Sequence, residues 1–330
     1  MDTIQEAIVV NNLAKDFKGF IAVDGISFQV KTGEIFGFLG PNGAGKTTTV
    51  KMLCTLLRPS AGKGLVAGYD IAHQQSQVRK SIGIIFQDPS LDDRLTAREN
   101  LRFHGMIYKV PRKELPVRIN QSLEWMQLED RADDLVRNFS GGMKRRLEIA
   151  RSILHSPKVL FLDEPTLGLD PQTRNRIWEY LIKLRSETKI TLFMTTHYMD
   201  EAEYCDRIGI IDHGKIIALD TPQALKSEMR DDVVDIQTAD DVQTEKELLT
   251  KYNIRAKRDP QGIHFEVPNG AEFVPKLVRE LTVQVKMVAS RRPTLDDVFL
   301  KLTGREIRED IASSHEKLKS RMKRMGKAWR

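Results

Sequence analysis

The segment Gly40–Thr47, which reads Gly-Pro-Asn-Gly-Ala-Gly-Lys-Thr, constrains this chain more than any other feature. It follows the apolar run Ile35–Leu39 and precedes a helical pattern, so we predict strand, loop and helix in that order. Glycines let backbone amides curl around phosphate oxygens, and the positive end of the following helix points at the same phosphates. Lys46 would then reach the β- and γ-phosphates of a nucleotide, and the Thr47 hydroxyl suits Mg²⁺. A plain glycine-rich turn is the alternative, which the strand–loop–helix context disfavours.

A pair of acidic residues, Asp163 and Glu164, follows the apolar run Val159–Leu162. Both carboxylates would lie at the carboxyl end of a buried strand, where ligands of open α/β sheets bind. Asp163 would hold Mg²⁺ directly or through water, and Glu164 would orient and polarise a water for attack on the γ-phosphate. Without the loop at Gly40–Thr47, two solvent-facing carboxylates would be the preferred interpretation.

A second helix start lies at Ser140, Gly141 and Gly142. Serine is a good N-cap, and the residues that follow place Met143 and Leu147 on one apolar helical face. These three residues therefore predict a second anion site at a helix start, without a lysine of its own.

The first 225 residues alternate short apolar runs with helical patterns, which is typical of an α/β fold with a mostly parallel sheet. The runs are apolar at nearly every residue, as expected for strands covered on both faces. Residues 88–150 interrupt this alternation and predict an inserted helical subdomain. The predicted strands are Ile35–Leu39, Ile82–Phe86, Val159–Leu162, Ile190–Thr195 and Ile208–Asp212.

The C-terminal part has a different pattern. After Arg230 it reads as strand, helix, strand, strand, helix and strand, the order of a small α+β, ferredoxin-like unit. We therefore predict domains at residues 1–230 and 231–304, followed by a basic tail at 305–330. The net charge of +6 is located at the end of that tail, because His315–Arg330 holds seven basic residues and one acidic residue, and residues 1–314 are neutral overall. The neutral body does not support a surface-wide nucleic-acid footprint, so no nucleic-acid partner is expected.

The order of these motifs resembles that of ATP-binding-cassette (ABC) ATPases. Gly40–Thr48 is similar to their Walker A motif and Val159–Glu164 to their Walker B motif. Phe139–Met143 is similar to their signature motif, which is normally Leu-Ser-Gly-Gly-Gln. Phe139 and Met143 depart from that consensus but leave its Ser-Gly-Gly centre intact.

Four further positions extend the resemblance over residues 4 to about 225. Gln87 matches the Q-loop, Leu167–Asp170 the D-loop and His197 the H-loop, and Phe17 stands where the family keeps an aromatic residue that stacks on adenine. The resemblance implies catalytic roles for Glu164, His197, Gln87 and Lys46, and Mg²⁺ contacts for Thr47, Gln87 and Asp163. It implies ATP contacts for Phe17, Gly40, Pro41, Asn42, Gly43, Ala44, Gly45, Lys46, Thr47 and Thr48, and, from a partner subunit, for Ser140, Gly141, Gly142 and Asp170.

The resemblance also implies partners and a location. In this family two ATP-binding subunits pair head to tail, and the pair, a homodimer or a heterodimer, drives a separate membrane permease. No apolar run approaches the roughly 18 residues that a membrane span needs. Arg292–Arg305 is similar to the closing segment of drug-exporter subunits of the daunorubicin-resistance type, which pair with ABC-2 permeases. The expectation is therefore drug, antibiotic or lipid export, driven by a cytoplasmic ATPase that is peripheral on the inner face of the membrane.

Three questions stay open at this point. The chain could instead be a soluble ABC ATPase that acts on ribosomes or nucleic acid, although such proteins usually carry two cassettes or long insertions. It could also be a nucleotide-binding regulatory module in which residues 233–290 act as a sensor. The tail is either a frayed, solvated segment or an amphipathic helix that lies on anionic lipid or against the permease.

Overall fold

The computed structural model describes residues 6–87, 90–229, 231–259 and 262–304. These residues divide into two compact units that meet at Pro222 and Gln223. We predicted the division at residue 230, and it falls earlier because the helix that starts at Pro222 groups with the second unit. The basic tail lies outside the described residues, so both alternatives for it, a solvated segment and an amphipathic helix, stay open.

The first unit contains ten strands and seven α-helices among the residues that the structure describes. In chain order the strands are β1 (Glu6–Phe17), β2 (Phe20–Lys31), β3 (Ile35–Leu39), β4 (Ala61–Val66), β5 (Tyr69–Asp70), β6 (Ile82–Ile85), β7 (Val159–Asp163), β8 (Thr191–Thr196), β9 (Arg207–Asp212) and β10 (Lys215–Asp220). The helices are α1 (Lys46–Leu53), α2 (Gln75–Ser81), α3 (Ala97–Ile107), α4 (Leu115–Trp125), α5 (Gly141–Ile153), α6 (Pro171–Thr188) and α7 (Met199–Ala202).

A six-stranded sheet of order β10-β9-β3-β8-β7-β6 forms the centre of this unit. Every neighbouring pair is parallel except β10 and β9, which confirms the predicted α/β class. Every residue of β3, β7 and β8 is buried, as their continuous apolar runs predict. Leu39 is paired with Thr196, and Asp163 with Thr195, so the carboxyl ends of these three strands lie side by side.

A second, antiparallel sheet of order β2-β1-β4-β5 covers one face of the central sheet, and the sequence did not predict it. Phe28 of β2 packs on Phe36 and Phe193 of the central sheet, with ring centroids 5.5 and 6.0 Å apart. The turn between β1 and β2 places Lys18 and Gly19 at φ 52° and 97°, which is typical of a two-residue hairpin turn.

Helices α3, α4 and α5 pack on one another within the predicted helical insertion. The first of them begins at a capping box, in which Thr96 and Glu99 each accept a hydrogen bond from the backbone of the other. Phe103, Met106 and Ile107 on α3 are about 60% exposed (61%, 63% and 59%). Exposed apolar side chains this close together are typical of an interaction surface.

The second unit contains a four-stranded antiparallel sheet. Its elements are α8 (Pro222–Glu228), β11 (Asp232–Thr238), α9 (Asp241–Tyr252), β12 (Lys257–Asp259), β13 (Gly262–Val267), α10 (Gly270–Glu280), β14 (Val285–Arg291) and α11 (Leu295–Thr303). The sheet order is β12-β13-β11-β14, and Val234, Ile236, Ile263 and Phe265 form its core with Leu248 and Leu277 of the helices. Strands and helices follow each other in the predicted order, whereas the ferredoxin-like class of this unit stays a prediction.

Candidate active site

The loop between β3 and α1 can form only because of its glycines. Gly45 has φ 112°, and a Cβ atom there would lie 2.5 Å from the carbonyl oxygen of Ala22. A Cβ atom on Gly40 would lie 2.2 Å from the carbonyl oxygen of Ile211. The loop therefore packs directly against neighbouring backbone, and its amide groups lie at the start of α1.

Lys46, the first residue of α1, is buried beneath this loop. Its Nζ donates to the carbonyl oxygens of Gly40 at 2.6 Å and Pro41 at 3.1 Å, and lies 3.7 Å from Oε1 of Glu164. Burial lowers the pKa of Lys46, and the carboxylates of Glu164 and Asp163 oppose that effect. The ammonium group is thus already held in the loop and can exchange carbonyl partners for phosphate oxygens.

Asp163 lies at the end of β7, almost completely buried. Its Oδ1 accepts hydrogen bonds from Oγ1 of Thr195 at 2.6 Å and from Oγ1 of Thr47 at 3.2 Å. A carboxylate and a hydroxyl are the hard oxygen ligands that Mg²⁺ takes from proteins, with water and phosphate oxygens completing its shell. Within the described ranges no three acidic, histidine or cysteine side chains cluster as a metal site.

Glu164 follows directly and has φ 49°, a left-handed conformation that is uncommon for a residue with a side chain. Its Oε1 lies 3.2 Å from Nδ1 of His197, which is the residue after β8. Burial alone would raise the pKa of Glu164, but the hydrogen bond with His197 and the charge of Lys46 lower it below its usual value. The side chain is therefore an anion that can accept a proton or orient a water molecule.

A buried carboxylate supports the turn that carries His197. Glu201 accepts hydrogen bonds from the hydroxyls of Thr196, at 2.5 Å, and Thr166. Burial raises its pKa, although both hydrogen bonds oppose this. Sequence reasoning missed Glu201, because a glutamate three residues into a short helix carries no pattern of its own.

A cavity of about 940 Å³ opens above these residues. It is lined by most of the predicted contacts: Phe17, Pro41, Asn42, Gly43, Gly45, Lys46, Thr47, Thr48, Gln87, Glu164 and His197. Phe17, at the hairpin tip, is 45% exposed beside it. Gly40, Ala44 and Asp163 are buried and do not line the cavity. Sequence reasoning missed Phe20, Ala22 and Tyr198, which also line it; the aromatic spacing of Phe17 and Phe20 across Lys18-Gly19 is the one signal that pointed there.

Ser140, Gly141, Gly142 and Asp170 do not line this cavity. Ser140 caps α5 by accepting from the backbone amide of Met143 at 3.3 Å, and its side chain is exposed. Asp170 caps α6 in the same way. A Cβ atom on Gly142 would lie 2.5 Å from Cγ2 of Thr173 in α6, so the starts of these two helices pack closely together. They form a second polar surface, apart from the Lys46 cavity.

A glycine loop that holds a lysine at the carboxyl edge of a parallel sheet, with strand-end carboxylates beside it, is the nucleotide site of P-loop nucleoside triphosphatases. That is the class of protein that the fold and the site define. The family model described as ABC transporter matches residues 23–167 of the chain. The chain belongs to the ATP-binding subunits of ABC transporters and is an ATPase that binds ATP.

Curated relatives match nearly the whole chain. The linearmycin resistance ATP-binding protein LnrL of Bacillus subtilis is 38% identical, over 90% of this chain and 98% of its own length. The Nod factor export ATP-binding protein I of Cupriavidus metallidurans is 39% identical, over 91% and 98%. The daunorubicin/doxorubicin resistance ATP-binding protein DrrA of Streptomyces peucetius is 38% identical, over 90% and 92%.

Among solved structures, cbiO1 of Clostridium perfringens, part of an ABC transporter complex, is 32% identical with a TM-score of 0.64. The match covers 68% of this chain and 91% of cbiO1. The dimeric ATP-binding cassette MJ0796, bound to ADP and phosphate, is 27% identical with a TM-score of 0.59, over 65% and 98%. No helix in the described part of this chain has the length and apolar character to cross a membrane.

Proposed function

We propose that this chain hydrolyses Mg²⁺-ATP at a site completed by a second ATP-binding subunit, and thereby drives export through a separate permease. One observation carries this proposal above the others. Lys46, Glu164 and His197 line one cavity, and the buried Asp163 is hydrogen-bonded to Thr47 of its lining, whereas Ser140 is exposed and does not line that cavity. One copy thus holds the two halves of a phosphate site apart, and head-to-tail pairing of two copies would join them.

In this proposal the loop residues bind the phosphates. Lys46 leaves its carbonyl partners for the β- and γ-phosphates, and the amides of Thr47 and Thr48 at the start of α1 stabilise the same negative charge. Thr47 and Asp163, which already share a hydrogen bond, would hold Mg²⁺ together with Gln87. Bound Mg²⁺ neutralises charge on the phosphate oxygens.

Glu164 is the proposed catalytic base. A carboxylate whose pKa is lowered is a weak base, but it stays ionised and can orient the attacking water for a reaction that depends mainly on positioning. His197 holds Oε1 of this side chain at 3.2 Å and would also approach the γ-phosphate. Phe17 would stack on adenine, and the exposed Phe20 of the same hairpin offers a second aromatic face.

The partner subunit supplies the remaining contacts. Ser140, Gly141 and Gly142 present the positive end of α5, and Asp170 caps the adjacent α6. With these groups on the γ-phosphate of the facing copy, the pair would close when ATP is bound and separate after hydrolysis. The related cassette MJ0796 was solved as a dimer bound to ADP and phosphate, which supports the pairing of two such subunits.

Export through an ABC-2-type permease is the proposed task. The relatives' names, linearmycin resistance, daunorubicin/doxorubicin resistance and Nod factor export, support the export of a drug, antibiotic or lipid. The exposed apolar face of α3, formed by Phe103, Met106 and Ile107, would contact the permease. This helix follows Gln87 along the chain. The chain would then work at the cytoplasmic face of the membrane.

The variant Glu164→Gln tests the catalytic assignment. It should still bind Mg²⁺-ATP, because the loop and Lys46 are intact, but its turnover should fall about 100-fold or more and it should accumulate as an ATP-bound dimer. ATP hydrolysis and gel filtration with ATP measure both effects. Glu179→Gln, an exposed carboxylate on α6, is the matched control and should keep parental turnover. Parental turnover in Glu164→Gln would show that the base is wrongly assigned.

A further inference from the structure

Arg145, on the second turn of α5, is a buried arginine whose donors all face the active-site turns. It is 7% exposed, and its Nε donates to the carbonyl oxygen of Pro165. Its Nη2 lies 3.1 Å from the carbonyl oxygen of Glu164 and 3.5 Å from that of Asp163. Its Nη1 donates to the carbonyl oxygen of Phe86 at 2.7 Å. One guanidinium therefore binds three successive carbonyls around Glu164 and the carbonyl that precedes Gln87.

Glu148, one helical turn later, completes this arrangement. It is 1% exposed, and its Oε2 accepts from Nη1 of Arg145 at 3.0 Å. Its Oε1 accepts from the backbone amide of Ser90 at 2.9 Å. The Arg145–Glu148 pair thus contacts the chain both directly before and three residues after Gln87, at Phe86 and Ser90.

Two more side chains of α5 contact the same segment. Oγ of Ser152 donates to the carbonyl oxygen of Ile84 at 3.1 Å, and Arg151 donates to the backbone oxygen and the hydroxyl of Ser90. Ile84, Phe86 and Ser90, which lie on either side of the proposed Q-loop glutamine in sequence, are therefore attached to the helix that Ser140 caps. A shift of that helix would move these three residues with it.

The backbone of Glu164 explains why such contacts matter for catalysis. Its φ of 49° is a conformation that costs free energy for a non-glycine residue and persists only where surrounding contacts stabilise it. Thr195 binds its amide on one side, and Arg145 binds its carbonyl and both neighbouring carbonyls on the other. This conformation directs the carboxylate toward Lys46 and His197.

We propose that Arg145 is a positioning residue for ATP hydrolysis, paired with Glu148. Through these hydrogen bonds it joins the helix that contacts the partner's nucleotide to the turns that carry Gln87 and Glu164 of its own site. The inference rests on the proposed role of Glu164 as catalytic base. Because Arg145 connects α5 to the turn of Glu164, the position of the Glu164 carboxylate depends on the position of α5. Binding of Ser140 to the nucleotide of a second copy would therefore change the geometry of the catalytic base.

A positive charge at position 145 is not sufficient to position Glu164 and Gln87. A lysine at position 145 keeps the positive charge beside Glu148 but has three donors on a single nitrogen, which cannot reach carbonyls on two separate segments. Removing the arginine outright would leave the buried Glu148 carboxylate without its cation, a change that destabilises most folds. The double variant Arg145→Met/Glu148→Met removes both charges together and avoids that problem.

The test compares Arg145→Lys and the double variant with Arg146→Met in the full chain. Arg146 is the neighbouring arginine of α5, but its guanidinium binds the carbonyls of Met126 and Gln127, away from the nucleotide cavity. Turnover per folded molecule should fall about 10- to 100-fold in both position-145 variants, while the ATP dissociation constant stays within about threefold. Arg146→Met should keep turnover within about twofold of the parental rate.

A double-mutant comparison separates positioning from general loss of structure. If Arg145 acts through Glu164, Arg145→Lys should lower the residual turnover of Glu164→Gln much less than it lowers parental turnover. Three outcomes would each overturn the inference. The first is parental turnover in both position-145 variants, and the second is an equal loss of turnover in Arg146→Met. The third is that the losses of turnover from Arg145→Lys and Glu164→Gln are additive in free energy. Parental turnover in Glu164→Gln alone would instead contradict the proposed base, so the two failures are distinguishable.

Discussion

At the scale of single residues, the site depends on backbone conformations that few residues adopt. Gly45 at φ 112° and Glu164 at φ 49° flank the position of the phosphates, one in the loop and one at the strand end. The glycine meets this requirement at no steric cost, whereas the glutamate needs hydrogen bonds on both sides. Both side-chain identity and backbone conformation are therefore part of the chemistry at this site.

Replacing Gly45 by alanine tests the loop. The added Cβ atom would combine a strained φ with a contact of 2.5 Å to the carbonyl oxygen of Ala22. We expect the free energy of unfolding to fall by about 2 kcal/mol or more and ATP to bind at least about 10-fold more weakly. Denaturant unfolding and ATP titration measure these effects.

Gly43→Ala is the matched control for this prediction. Gly43 also has a positive φ, 85°, but a Cβ atom there meets nothing within 4 Å. The free energy of unfolding of Gly43→Ala should fall by only about 1 kcal/mol, which is the cost of the backbone conformation alone. If Gly45→Ala unfolds and binds ATP like the parental chain, the close packing of the loop does not control the site.

At the scale of elements, the sequence predicts best the buried strands, because each of them is a short apolar run, and the residues that follow them. Strands β3, β7 and β8 are buried at every residue, and a run such as Val-Leu-Phe-Leu before Asp163 identifies both the strand and the carboxylate at its end. Gly40–Thr48, Glu164 and His197 could be predicted as site residues for the same reason, because each follows a recognisable strand. A motif is readable when its residues are adjacent in sequence.

Other parts of the fold and site could not be read in this way. Strands β1 and β2 pair with several shifts of register, which break the polar–apolar alternation that identifies half-buried strands. Arg145 occupies a polar position two residues after Met143, and its partners come from segments around residues 86 and 164. The sequence pattern of α5 alone therefore reads Arg145 as a solvated side chain.

In the second unit, the local stability should depend on pH because of Glu247 in α9. It accepts hydrogen bonds from Lys251 at 2.8 Å and from the amide of Thr282 at 3.2 Å. The hydrogen bonds with Lys251 and Thr282 lower its pKa from 4.5 to about 2. Because the folded pKa is lowered, the stabilisation is complete above the unfolded pKa and is lost as the pH falls from about 5 toward 2.

Glu247→Gln should therefore destabilise this unit by about 1–2 kcal/mol near pH 7 and by much less near pH 2.5. Hydrogen exchange of peptides from α9 and from the segment around Thr282, corrected for intrinsic rates, measures the difference. Glu245→Gln, which changes a partly exposed carboxylate on the same helix, is the control, and its difference from the parental chain should not decrease as the pH falls. If the difference in local stability between Glu247→Gln and the parental chain stays constant from about pH 7 to about pH 2.5, Glu247 is not the origin of the pH dependence.

At the scale of the whole molecule, charge is concentrated at one end of the chain. The seven basic residues and one acidic residue of His315–Arg330 account for the net charge of +6. If the tail forms the proposed amphipathic helix, Trp329 lies on its apolar face and the lysines and arginines flank that face. Such a segment would hold the ATPase near the inner face of the membrane, beside its permease.

Vesicle binding tests this proposal. The full chain should co-sediment with anionic vesicles at low salt, lose most of that binding at about 0.5 M salt, and bind several-fold more weakly as Trp329→Ala. Neutral vesicles serve as the control and should bind little. Equal binding of the parental chain and a chain that ends at Gly304 would exclude the tail as the membrane contact.

In the proposed dimer one ATP site takes Lys46 and Glu164 from one copy and Ser140 from the other, and mixtures of inactive variants test this sharing. Lys46→Ala and Ser140→Glu should each be inactive alone. In an equimolar mixture half of the dimers are mixed and each has one intact site, so turnover should return to about a quarter of the parental rate. Lys46→Ala mixed with Glu164→Gln should stay inactive, because both changes lie in the same half. Failure of the first mixture to recover, or recovery of the second, would contradict a site shared between two copies.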